Sequence, residues 1–174
     1  MKASLIFVAF LLTINASFSQ VNRPVLDLNK DPVFIDVVTH RIHYPVQPAR
    51  RAIYGRYYAG FTIDQAGHIR DIAVLYPKMS RQTSKLYGFE GEIVAGLKHM
   101  PPLNPNLVGN YLLPIAFCFT HYSEGPAPIV PTNVLPFGYE VGDRVLLNEA
   151  KIFASSPSSS RSLNGFPPSR QIGQ

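Results

Sequence analysis

The chain has no tryptophan and a single cysteine, Cys118, among its 174 residues. One thiol cannot close a disulfide within the chain, so stability must come from a packed core. Cys118 lies in an apolar, strand-patterned stretch, which makes it a buried inert thiol rather than a nucleophile. Charge is scarce as well: Asp, Glu, Lys and Arg make up 16% of the residues. The formal net charge is +5, one unit of it from Lys2, and no basic stripe gathers it. No nucleic-acid partner is therefore expected, since that needs clustered Lys and Arg. No apolar run reaches the ~20 residues that cross a bilayer as a helix. A glycine-rich phosphate loop is missing too.

Catalytic and metal-binding sets are equally sparse. His40 and His43 have ligand-like spacing, but no second pair completes the three or four donors that a metal site uses. His68, His99 and His121 fall at strand or helix ends. Asp64 and Asp71 flank a turn, where exposed carboxylates are ordinary. The serines after Ser155 have no histidine or carboxylate beside them. The expectation is a chain that is not an enzyme and takes no cofactor or metal.

Proline is abundant, with 16 residues, and hydrophobic residues make up 46%. This length and composition allow one ordinary domain with extended connectors. The start reads as a secretory leader over 1–19. Lys2 is followed by an apolar run from Leu5 to Ile14, with small residues at Ser17 and Ser19 before a cut near Ser19/Gln20. An uncleaved inner-membrane anchor is the alternative, and the run is short for it. No cysteine stands at the cut, so a lipoprotein anchor is not expected. The expected location is the periplasm.

Residues 20–40 read as a lead-in, with Val33–Val38 as a short strand. Tyr44-Pro45 then opens a short helix over Val46–Ile53, because proline is tolerated in a first turn. Gly55 ends it. From Arg56 to Ile63 the residues alternate. Tyr57, Ala59, Phe61 and Ile63 share one face; Tyr58, Gly60 and Thr62 share the other. Asp64 to Gly67 is a turn signal, with Gly67 suited to positive φ. His68–Leu75 completes an antiparallel hairpin. Residues 77–88 read as a polar connector. Phe89, Ile93, Leu97 and Met100 make one apolar helix face. Glu90 and Glu92 at its start and Lys98 and His99 at its end suit the helix dipole. Pro101-Pro102 stops it. Tyr111–Thr120 is a third strand. Residues 122–174 read as a Pro/Ser-rich tail, with 145–153 forming one more strand or a short helix. Tyr57, Phe61, Ile63, Ile93, Leu97, Ile115 and Phe117 are assigned to the core.

This order of elements, with these side chains, resembles the TonB C-terminal domain family over residues 41–121. The matching pieces are Tyr44-Pro45, Ile53-Tyr-Gly55, Phe61-Thr-Ile63-Asp64, Gly67, Leu97-Lys-His-Met100-Pro101 and Pro114-Ile115-Ala-Phe117. The chain departs from the family in having no tryptophan near Leu103 and in carrying Pro48 where alanine is commoner. It also has only about 25 residues between leader and Tyr44, a reach of roughly 85 Å at most, where the family has a long spanner.

The resemblance implies a small α+β domain: a three-stranded antiparallel sheet with two helices packed on one face, plus an irregular C-terminal tail. It implies a protein-interaction domain associated with TonB-dependent transport across the outer membrane. The partner would be an outer-membrane TonB-dependent transporter or another envelope protein. Its strand would add at Tyr111, Leu112, Leu113, Ile115, Ala116, Phe117, Cys118, Phe119 and Thr120. An edge strand with unpaired main-chain groups is a ready site for such addition. The chain's own 145–153 segment is the other candidate for that edge. A stand-alone structural module, self-associating as a homodimer through the same edge, is the alternative function.

Overall fold

A computed structural model describes residues 27–121, 125, 127–136, 139 and 141–155 of the chain. The proposed leader and most of the Ser/Pro-rich end lie outside these residues. Four helices and five strands are present among them: α1 Pro32–Arg41, α2 Val46–Arg50, β1 Gly55–Ile63, β2 Ile69–Tyr76, α3 Arg81–Tyr87, α4 Phe89–Lys98, β3 Gly109–Thr120, β4 Val145–Leu146 and β5 Ala150–Ser155. The class is α+β. The expected three strands and two helices are too few on both counts.

The first correction concerns residues 32–41. They were expected to hold a strand and form a helix. Asp31 accepts a hydrogen bond from the Phe34 N–H at 2.9 Å, and Pro32 occupies the first turn. This is a strong helix start. Phe34, Val37, Val38 and then Ile42 are buried. Their spacing of three, one and four places one apolar stripe on the core, which outweighs the modest helix penalty of valine.

The second correction is α3, expected as connector. None of its residues is buried, so no hydrophobic period announces it. Its ends do. The Ser80 side chain accepts from Thr83 N–H, and Gly88 closes it at φ 74°. Gly88 then leads directly into α4. There Phe89, Ile93 and Leu97 are fully buried, with Met100 just beyond.

The sheet runs β2-β1-β3, with β4 and β5 both placed on the far side of β3. β1 pairs antiparallel with β2 and with β3. β4 and β5 pair parallel to β3, one after the other. The helix side of the sheet carries the main core. Tyr57, Ala59, Phe61 and Ile63 from β1 meet Phe34, Phe89, Ile93, Ile115 and Phe117 there. Burying a side chain of this size contributes about 1.5–3 kcal/mol. All seven residues assigned to the core from the sequence lie in it.

The opposite face is not left to solvent. Tyr58, Leu112, Ala116 and Cys118 alternate away from the helices, yet all are buried. The chain after β3 crosses this face. Ile129 bridges to Phe119, and Tyr139 donates its hydroxyl to the Leu75 carbonyl at 2.9 Å. Asp143 accepts from Asn110, and the Arg144 side chain lies over Gly60. The described residues between β3 and β4 therefore lie against the second face.

The β1–β2 turn is organised by Asp64. Its carboxylate accepts from the Ala66 and His68 N–H groups, each at 2.9 Å, and from Arg70 at 3.0 Å. The His68 amide, then the Arg70 side chain, holds the Asp64 carboxyl below its ordinary range. A depressed folded-state pKa means the stabilisation is complete above the unfolded-state value and is lost as pH falls through the folded one. Asp64→Asn is thus expected to lower the melting temperature at neutral pH, by an amount that shrinks as the solution is acidified. Paired thermal melts check this. A gap that stays constant down to about pH 2 would show that the charge of Asp64 is irrelevant.

Candidate functional site at the outer edge of β3

β3 is the longest strand and the most enclosed. Tyr111, Leu113, Ile115 and Phe117 point into the helix-side core. Leu112, Ala116 and Cys118 point to the covered face, and Phe119 is buried at the end where it also bridges Ile129. Thr120 is half-buried. The Cys118 thiol is pushed up by burial and then by the nearby Glu149 carboxylate, as suits an inert buried sulfur.

The open edge expected on this strand is occupied. One edge carries β1 over the register Gly55↔Phe117 to Ile63↔Gly109. The other carries Val145 and Leu146 beside Tyr111 and Leu112, then Ala150 to Ser155 beside Ile115 to Thr120. Of the two candidates for that edge, the chain's own segment is the one in place. It is strand throughout its paired length, which settles the choice between strand and helix for 145–153. A one-residue slip in register separates the two parts. Leu147 bridges it: its N–H donates to the Leu112 carbonyl at 2.9 Å, and its side chain is buried.

The residues that carried the family resemblance gather at two places. Tyr44 and Gly55 meet at Phe117, and Pro45 next to Tyr44 caps the start of α2. The Tyr44 hydroxyl donates to the Ile53 carbonyl at 2.7 Å. Its ring stands edge-on to Phe117 at 5.5 Å and to Phe89 at 5.7 Å. Burial raises the Tyr44 hydroxyl far above its usual pKa, so it acts only as a neutral donor. Gly67 lies at the other end, where its carbonyl accepts from Leu103 N–H at 2.9 Å. Pro101 is exposed two residues before Leu103. None of these five touches the outer edge of β3 directly.

One clamp had no signal in the sequence. Beyond Tyr58↔Tyr76, β2 no longer accompanies β1. There the Asn133 carboxamide takes over, accepting from Arg56 N–H at 2.9 Å and donating to its carbonyl at 2.8 Å. The Arg56 guanidinium donates to the Asn133 carbonyl at 2.8 Å and pairs closely with Glu149. Arg56 so ties together β1, the crossing segment and the start of β5. The partners are 77 and 93 residues away in the chain, and no local pattern could indicate them.

A groove of about 230 Å³ runs between α1 and the start of β5. Phe34, Ile35, Val38, Leu113 and Ile152 make its apolar floor and wall, with Asn29 and Asn148 among its polar lining. The Asn148 N–H donates to the Asn29 side chain at 2.7 Å. Among the described residues no three His, Cys, Asp or Glu side chains come together to hold a metal ion. Among the same residues no helix is long and apolar enough to cross a membrane.

Comparison with known proteins finds no matching family model, no matching curated protein and no matching solved structure. The functional reading therefore rests on the residues and the geometry alone.

Proposed function

We propose that this chain is a TonB-like protein-interaction domain of the periplasm that recognises its partner by β-strand addition. The partner is an outer-membrane TonB-dependent transporter or another envelope protein. The observation that carries the reading is the outer edge of β3. It takes a short strand in parallel main-chain pairing, which is the way an added peptide would be held. The ordered motifs from Tyr44-Pro45 to Pro114-Ile115 add the resemblance.

The test is capture from solubilised envelope by the chain from Gln20 onward, with the recovered proteins identified by mass spectrometry. Enrichment of a TonB-dependent transporter over a core-destabilised control supports the reading. A folded bait that enriches none overturns it.

A second reading, a self-associating structural module, is favoured by one feature. Among the described residues β5 pairs only with β3, so its far edge is open to a second copy. A concentration-dependent dimer in sizing experiments supports that reading; a monomer throughout opposes it.

A further inference from the structure

The segment that fills the edge of β3 is anchored at a few points. Val145, Leu146 and Phe153 are 54, 58 and 56% exposed, while Leu147 and Ile152 are buried in the core, at 4 and 8%. What else holds it is main-chain pairing, which any extended backbone supplies, the ion pair from Glu149 to Arg56 and the hydrogen bond from Asn148 N–H to the Asn29 side chain. β1, on the other edge of β3, pairs in unbroken register from Gly55 to Ile63 and is enclosed on both faces. With two core side chains against the five core positions of β1, residues 147–155 are the shorter-held edge of the sheet.

We infer that residues 147–155 are a built-in competitor for the partner and carry its chemistry. The inference rests on the strand-addition reading above. The incoming segment runs parallel to β3. It places a carboxylate at Arg56, as Glu149 does. It then turns small and aliphatic side chains toward the helices at alternate positions, as Ala150, Ile152 and Ala154 do. The groove beside α1 leaves room for a side chain larger than Ile152 against Phe34 and Val38. Main-chain hydrogen bonds exchange one for one, so affinity is set by the anchors and by the fraction of molecules whose own strand is released. The tethered copy acts at a high effective concentration, which keeps weak segments out.

The fold offers a reversible lock for the test. Cys118 and Phe153 are register partners, with side chains on the same face of the sheet. Adjacent strands place Cα atoms within the range that a disulfide spans. Phe153→Cys in the full chain is expected to oxidise to an internal disulfide and fix the strand in place. The probe is a labelled synthetic peptide copying residues 147–155. The reduced variant is expected to bind it, the oxidised variant at least tenfold more weakly, and reductant is expected to restore binding. A peptide with glutamine at the Glu149 position and asparagine at the Ile152 position is expected to bind poorly.

Equal binding by the oxidised and reduced forms overturns the inference. So does a thiol pair that stays reduced under oxidant. A Glu149→Gln, Ile152→Asn double variant serves as a release control, with near-ultraviolet tyrosine circular dichroism confirming its fold. A folded control that ignores the peptide also overturns the inference. Envelope capture separates the two levels. A transporter recovered equally by locked and reduced protein leaves the partner reading standing and removes the competitor. Peptide exchange without any transporter removes the partner reading and keeps the competitor.

Discussion

Gly67→Ala is expected to destabilise the protein by about 3–5 kcal/mol, one of the largest effects available from a single methyl group. Gly67 sits at φ 81°, a region that costs a residue with a Cβ roughly 1–2 kcal/mol by itself. Space is the larger obstacle. A Cβ there would stand 2.0 Å from the Leu103 carbonyl oxygen and 2.9 Å from its carbon. Those are backbone atoms and cannot swing aside. The loop must retreat, which breaks the hydrogen bond from Leu103 N–H to the Gly67 carbonyl and loosens Leu103, a core residue. Urea unfolding followed by tyrosine fluorescence measures the loss. Gly91→Ala is the control. Nothing lies within 4 Å of its added Cβ, and it is within α4, so it is expected to stabilise by about 0.5–1 kcal/mol. Similar effects from the two substitutions would show that the close approach at Leu103 does not exist.

Phe117→Ala is expected to cost about 3–5 kcal/mol. Phe117 is fully buried in β3, where the rings of Phe89, Tyr44 and Tyr57 surround it at 4.6, 5.5 and 5.7 Å. Truncation loses the burial, opens a cavity and removes three ring contacts at once. Typical domains have only about 5–15 kcal/mol in total, so this variant is expected to be partly unfolded at body temperature. Phe117→Leu keeps most of the volume and is expected to lose less than half as much. The midpoint in urea should shift while the slope stays constant. If alanine and leucine prove equally mild, Phe117 is not at the centre of the core.

Phe117 and Gly67 illustrate how differently two positions were legible. The strand carrying Phe117 alternates, ends in aromatics and is bounded by a proline-rich loop, so both its type and its core face could be read directly. Gly67 could be read as a turn glycine from Asp64-Gln-Ala-Gly. Its collision course with Leu103 could not, because that depends on where a loop 36 residues later comes to rest.

Helix α1 held both kinds of signal. A run of Val, Phe and Ile favours a strand by composition. Asp31-Pro32 and the spacing of Phe34, Val37 and Val38 favour a helix. The helix wins because its stripe lands on the core beside α4, and α1 then becomes one wall of the groove next to the candidate site. Helix α3 had only its caps to mark it, since it buries nothing. The clamp of Arg56, Asn133 and Glu149 had no mark at all.

Local chemistry by itself determined the α+β class, the hairpin, the α4 face, the third strand and the core residues on them. Each of these is written in spacing, turn residues or caps a few positions apart, and the core only had to agree with them. The tertiary structure alone decided that 145–155 lies parallel along β3, and that described residues such as Ile129, Tyr139 and Arg144 lie against the second face. It alone decided that the proposed binding edge is already filled. Parallel pairing joins residues about 35 apart through a long connection, and its partner is chosen by which edge is left over once the antiparallel strands have paired. That is a property of the assembled sheet, and no short window of sequence contains it.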